Sequence, residues 1–211
     1  ANNMYPDSIV EVGKAWREMI HRYLAGGLGL LIAVLSFLAI KYRYQIKVPL
    51  YLPLFLVVLV IFQAALGMWT VTELLKPAIV SLHLIGGMTI LGLLTYITHR
   101  HFGTTGLIVN KNLFLIARFA ILLLFIQILL GGWTSTNYAA LACTDFPTCH
   151  GSLIPDMDFK NGFSIFRDLG LTAEGESLSI QALHAIQWVH RVGAFILVAY
   201  FLFFVYLLSR Y

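Results

Sequence analysis

Charge is scarce in this chain. Asp, Glu, Lys and Arg supply 11% of its 211 residues, where a soluble domain carries about 25%. A buried core cannot absorb that deficit, because a water-soluble protein of this size still needs a polar skin. Lipid must therefore solvate much of the surface. Lys and Arg outnumber Asp and Glu by 4, but these charges are too few and too scattered to form a stripe against phosphates, which excludes nucleic acid as a partner. Acids are missing from the centre of every long apolar run, which argues against a transporter built on a midplane proton relay. A basic stretch followed by a short apolar run is also missing from the start, so no signal peptide is read there. The chain opens on Ala1-Asn2-Asn3 and ends at Arg210-Tyr211 directly after an apolar run. Neither end reads as a natural terminus, and a longer parent protein is expected.

Apolar residues are abundant instead, at 59%. A membrane-crossing helix needs about 20 mostly apolar residues, and five segments qualify: 20–40, 48–70, 78–98, 113–134 and 182–208. Backbone groups in lipid must be satisfied within their own segment, so these are predicted to be helices. The fold class is an all-α integral membrane protein, a helical bundle. Gly26, Gly27, Gly29, Gly86 and Gly87 fit the small residues that let membrane helices approach closely. Lys41, Arg43, Lys47, Arg100, Lys111, Arg118 and Arg210 gather at one set of helix ends. Most acids lie in the N-terminal arm (including Asp7), between the second and third segments, and in the long loop 135–181. The positive-inside rule then puts the N-terminus outside and the C-terminus inside. Trp16, Trp69, Trp133 and Trp188 all fall near the outer interface, as an aromatic belt or as the lining of a cofactor site.

Two internal repeats are visible. Gln63-Ala64-Ala65-Leu66-Gly67-Met68-Trp69-Thr70-Val71-Thr72 matches Gln127-Ile128-Leu129-Leu130-Gly131-Gly132-Trp133-Thr134-Ser135-Thr136, and Ile20-His21-Arg22 matches Val189-His190-Arg191. Each match joins helices running in the same direction, as duplicated helix pairs would.

Ionisable residues inside membrane segments are costly and mark function. His21, His83 and His190 fall at similar shallow depth near the outer ends of three parallel segments. Neutral imidazole is the common axial ligand of haem iron, and two from facing helices clamp one macrocycle. His184 precedes His190 by six residues and so points about 120° away from it. It is expected to be interfacial, like His99, His101 and His150 in their loops. Glu18 shares a helix face with His21. It is either a proton-handling carboxylate beside a cofactor or a solvated acid favoured by the first helical turns. Arg22 and Arg191, each next to a candidate ligand, either pair with haem propionates or snorkel to the interface. The only two cysteines, Cys143 and Cys149, lie six residues apart on the oxidising face. They read as a disulfide, with a redox-active pair still open, and no second nearby pair completes a tetrahedral zinc site.

Glu18-Met19-Ile20-His21-Arg22 resembles the Glu-x-x-His-Arg motif that opens the second helix of the haem A synthase family. The run Leu130 to Cys149, with Gly131-Gly132-Trp133 leading to Cys143-Thr144-Asp145-Phe146-Pro147-Thr148-Cys149, is similar to that family's fifth helix and its Cys-x-Asp-x-Pro-x-x-Cys loop. Ser81-Leu82-His83 and Val189-His190-Arg191 resemble its histidine positions in the fourth and sixth helices. The resemblance implies an eight-helix bundle in two four-helix halves, of which this chain holds five helices. Residues 1–98 would end the first half after an outer N-terminal arm. Residues 99–112 would be an inner loop, and 113–211 would begin the second half. It implies oxidation of the C8 methyl of haem O to the formyl group of haem A, for cytochrome oxidase biogenesis in the plasma membrane of a bacterium.

The resemblance makes His21 and His83 the axial pair of the substrate haem and Glu18 the catalytic acid. It makes His190 a ligand of a resident haem b, whose second histidine would come from beyond this chain. Partners implied are the lipid bilayer, haem O synthase and cytochrome oxidase assembly factors, with a homo-oligomer allowed. A non-catalytic di-haem electron-transfer subunit explains the histidines equally, but gives no reason for Glu18 or for the cysteine loop.

Overall fold

The computed structural model describes residues 11–45, 47–103 and 110–210. The arm carrying Asp7 and the middle of the 99–112 loop lie outside them. Among the described residues every extended element is helical, and the only β pairing is two isolated bridges, Cys149 with Ser152 and Leu171 with Ser177. Five helices are long and apolar enough to cross a membrane: α1 (Val12–Lys41), α2 (Tyr51–Thr72), α3 (Pro77–Phe102), α4 (Lys111–Thr136) and α6 (Ile180–Leu208). A single turn, α5 (Phe159–Gly162), and a short 3-10 turn at Ala139–Leu141 lie between α4 and α6. The five expected segments are all present. The largest boundary difference is at α1, which begins at Val12 because Gly13 to Arg17 continue the helix outside the apolar run. Large apolar side chains such as Leu30, Ile61, Ile121 and Leu202 face outward, as lipid-solvated helices require.

The chain divides into two compact units. The first holds α1, the start of α2 to Ile61 and the end of α3 from Leu93. Within it the Ser36 hydroxyl donates to the Pro53 carbonyl at 2.8 Å, in a core with Ile32 and Leu56. The carbonyl is the acceptor without which the Ser36 hydroxyl would be buried unpaired. The second unit holds Phe62–Gly92 and everything from Gly103 onward. In it α4 and α6 pack side by side, with Tyr200 Oη donating to the Ile116 carbonyl at 2.9 Å. A Cβ on Gly132 would stand 2.8 Å from Leu84 Cδ2, so the glycine sets how closely α3 and α4 approach.

Local signals explain where helices begin. Asn110 caps α4 by accepting from the Asn112 N–H at 3.0 Å, and Ser179 caps α6 by accepting from the Ala182 N–H at 3.2 Å. The turn between α2 and α3 is only residues 73–76. It places Leu74 and Leu75 at φ 51° and 60°, a left-handed conformation that branched side chains rarely adopt. Lys76 ties this turn to Glu73 at 2.9 Å and to Asp168 of the long loop at 3.6 Å.

Candidate functional site

The second unit contains the same local construction twice. In the α2–α3 pair, Gln63 Nε2 donates to the His83 carbonyl at 2.7 Å. In the α4–α6 pair, Gln127 Nε2 donates to the His190 carbonyl at 3.0 Å and lies 3.0 Å from His190 Nδ1. One turn beyond each glutamine, on the same face, a glycine receives the imidazole. A Cβ on Gly67 would stand 3.2 Å from His83 Cε1, and one on Gly131 would stand 3.3 Å from His190 Cε1. Three residues beyond each histidine a second glycine receives the glutamine: a Cβ on Gly86 would overlap Gln63 Nε2, and one on Gly193 would overlap Gln127 Oε1. The pattern is Gln-x-x-x-Gly on one helix against His-x-x-Gly on its antiparallel neighbour. Gln63 Oε1 and Gln127 Oε1 are both buried without a hydrogen-bond partner, which is costly for an amide oxygen unless something else comes to it.

This construction was half visible in the sequence. The first internal repeat contains both glutamines and their glycines. The second matched His190-Arg191 to His21-Arg22 on letters, whereas the side-chain lock equates His190 with His83. The recurring His-x-x-Gly spacing was the signal that would have found it.

His21 lies in α1, in the first unit, with Glu18 one turn before it. The Glu18 carboxylate is about half exposed and pairs with Arg22 at 2.5 Å. Arg22 therefore has a partner within its own helix.

Arg191 has a different use from either sequence reading. Its guanidinium donates to three backbone carbonyls of the cysteine loop, those of Asp145 and Thr148 at 2.8 Å and that of Cys143 at 2.9 Å. A planar fork of donors is well matched to several carbonyls of one tight loop. Phe146 stacks on Phe195 of α6 with ring centroids 5.8 Å apart.

The loop itself is closed by a Cys143–Cys149 disulfide, as expected. The Asp145 carboxylate sits inside it and accepts from the Thr148 hydroxyl, from the Gly151 N–H at 2.9 Å and from the His150 N–H at 2.5 Å. The Thr148 hydroxyl and these N–H groups hold its carboxyl well below the usual carboxylate range. The Asp in the loop motif is thus a structural acceptor. Two tryptophans also serve the loop: Trp133 Nε1 donates to the Gly162 carbonyl at 2.9 Å and Trp188 Nε1 to that of Leu153 at 2.8 Å. Arg167, 6% exposed, donates to Asn137 Oδ1 at 2.5 Å and to the Leu171 carbonyl at 3.2 Å, and burial lowers its pKa. His184 is 9% exposed, with its Nδ1 3.3 Å from the Asp156 carbonyl of the loop that covers it.

Residues 2–211 match the profile of the COX15-CtaA family, described as cytochrome oxidase assembly protein. A heme A synthase from Shewanella oneidensis is 42% identical over 209 residues, covering 98% of this chain and 62% of the relative. Heme A synthases from Halalkalibacterium halodurans and Bacillus cereus are 29% and 22% identical, over 82% and 92% of this chain and 59% and 57% of their own lengths. The chain thus spans about six-tenths of the length of these curated relatives.

Proposed function

The chain belongs to the COX15-CtaA family of cytochrome oxidase assembly proteins, and on that premise we propose that it supplies five helices of a haem A synthase. The substrate is haem O, whose C8 methyl is oxidised through two hydroxylations and loss of water to the formyl group of haem A. His21 and His83 would hold the substrate haem, and His190 a resident haem b. Glu18 handles the proton. The loop-bearing ends face outward in a bacterial plasma membrane, with the lysine- and arginine-rich ends inside. Haem O synthase and cytochrome oxidase assembly factors are the proposed partners, and three further helices would complete two four-helix halves.

The observation that carries this reading is the doubled lock around His83 and His190. An imidazole that ligates iron through Nε2 carries its proton on Nδ1, and that N–H needs an acceptor. The Gln127 amide lies 3.0 Å from His190 Nδ1 and its oxygen is buried without a partner. Gln127 thus tethers the imidazole that rests on Gly131 and fixes the orientation of its ring. Beside Gln127 and Gly193 an apolar groove of about 250 Å³ runs between α4 and α6, walled by Leu123, Leu130, Val189 and Val192. The donor chemistry, imidazoles seated among apolar helices, suits a haem. When bound, haem supplies the redox chemistry. The protein's own part is to fix the imidazoles, exclude water and deliver protons. Glu18 suits the last role: it lies one turn from His21, and its pairing with Arg22 is exposed, so it exchanges readily with solvent.

The test is co-expression of the complete open reading frame with a haem O synthase, followed by haem extraction and chromatography. Haem A is expected. Haem b alone, with haem O unchanged, would mean a non-catalytic cytochrome subunit. Glu18→Ala should keep the haem absorption spectrum and lower the rate of haem A formation about 100-fold or more, the lower end for losing a general acid or base. An undiminished yield removes Glu18 from the chemistry.

A further inference from the structure

Three side chains of the second unit converge outside the sites described so far. Cys149, His150 and His184 each offer one ligand-capable atom, and these atoms lie within 4.8 Å of one another. The two imidazoles face each other with ring centroids 5.0 Å apart. Their hydrogen bonds fix their tautomers. His150 Nε2 donates to the Ala142 carbonyl at 2.9 Å, and His184 Nδ1 donates to the Asp156 carbonyl at 3.3 Å. A carbonyl only accepts, so each of those nitrogens holds the ring proton. The other nitrogen of each ring therefore presents a lone pair. For His184 this is Nε2, which is buried and has no hydrogen-bond partner. Metal-ligating histidines almost always show this arrangement, one nitrogen donating to a backbone carbonyl and the other bare. Cys149 is 2% exposed and stands at the base of the cluster, while His150 is exposed and leaves an approach from solvent.

We propose that Cys149, His150 and His184 form a zinc site that opens and closes with the Cys143–Cys149 disulfide. With the disulfide intact, two imidazoles hold the cation weakly. An external dithiol supplies two electrons and two protons, breaks the S–S bond, leaves two thiols and becomes a disulfide itself. Zn²⁺ then displaces the thiol proton of Cys149 to water and gains a thiolate. Two histidines and one thiolate make the three-ligand tetrahedral set that zinc favours, with a fourth position for water. Bound zinc masks the thiolate that would re-form the disulfide, so it holds the loop reduced. The site is independent of the haem ligands and of the proposed synthase activity.

The experiment is a Zn²⁺ titration against a chromophoric chelator, on detergent-purified full-length protein, before and after treatment with a dithiol that is then removed. One Zn²⁺ per chain is expected, bound roughly 100-fold or more tightly after reduction, as gain of a thiolate implies. Cys143→Ser, which leaves Cys149 a free thiol, should bind tightly without reductant. His184→Ala should lose most of that affinity. In the reduced wild-type protein, which needs no substitution to fold, Zn²⁺ should slow alkylation of Cys149 far more than of Cys143, read by mass spectrometry. Equal affinity in both redox states, or equal alkylation of the two cysteines with and without Zn²⁺, overturns the proposal.

Discussion

The α2–α3 and α4–α6 pairs share one lock and differ in what joins them. Each sets a glutamine and a glycine against a histidine and a glycine. The first pair is closed by residues 73–76, the second by residues 137–179, which carry the disulfide, the Asp145 acceptor and the Arg191 clamp. The contrast separates scaffold from elaboration. In both pairs the lock seats an imidazole on a glycine and tethers the histidine with a glutamine amide, all within the packing of two helices. The connection is free to vary because it lies beyond the lock.

The comparison breaks most sharply at the histidines. His190→Ala should remove the haem b signal from the purified protein. His83→Ala should keep haem b and abolish haem A. Loss of both haems in either variant, seen in pyridine haemochrome spectra, would mean that the two pairs do not serve separate haems. A smaller effect is expected at the clamp that only the second pair has. Arg191→Ala strands three loop carbonyls and should destabilise the loop by about 2–3 kcal/mol, since bonds to a charged donor are worth about 1.5–3 kcal/mol each but the carbonyls recover water. Amide exchange of residues 142–152 should rise while the 73–76 turn is unaffected.

The shared lock is tested by Gln63→Leu and Gln127→Leu. Each removes a side-chain donor, at about 1 kcal/mol of stability. Gln127→Leu should also shift the midpoint potential of the proposed haem b, because Gln127 lies 3.0 Å from an imidazole nitrogen.

The two connections should also respond oppositely to pH. Asp145 has a folded pKa below its unfolded value, so its contribution to the loop is full above the usual carboxylate range and is lost as pH falls below about 4. Lys76 has a folded pKa raised by its hydrogen bond to Glu73, so its contribution to the short turn is full below the usual lysine value and is lost as pH climbs past it. Both groups are partly exposed to solvent and the effects are small. Limited proteolysis across pH should open the long loop first in acid and the short turn first in alkali, and Asp145→Asn should flatten only the acid limb.

Much of this was legible in the chain. Uninterrupted apolar runs mark all five long helices, because lipid leaves the backbone no alternative. The two cysteines, close together in a loop, gave the disulfide. The lock was harder to read. Its glutamines and glycines stand out only when helices are paired as antiparallel neighbours, and the His-Arg dipeptide drew attention to a different pairing. The use of Arg191 was hidden for a related reason. Its acceptors are carbonyls, which carry no residue-type signature, and a guanidinium beside a histidine reads as readily as a partner for propionates. Burial of His184 depends on how the loop between α4 and α6 folds back, which periodicity within α6 does not reveal.

The Arg191 clamp also couples the loop mechanically to α6. Residues 143–149 precede Arg191 in the chain, so the loop is synthesised before the side chain that clamps it. The side chain immediately after His190 then binds that loop through three carbonyls. Any displacement of that loop is therefore passed directly to the residue beside His190.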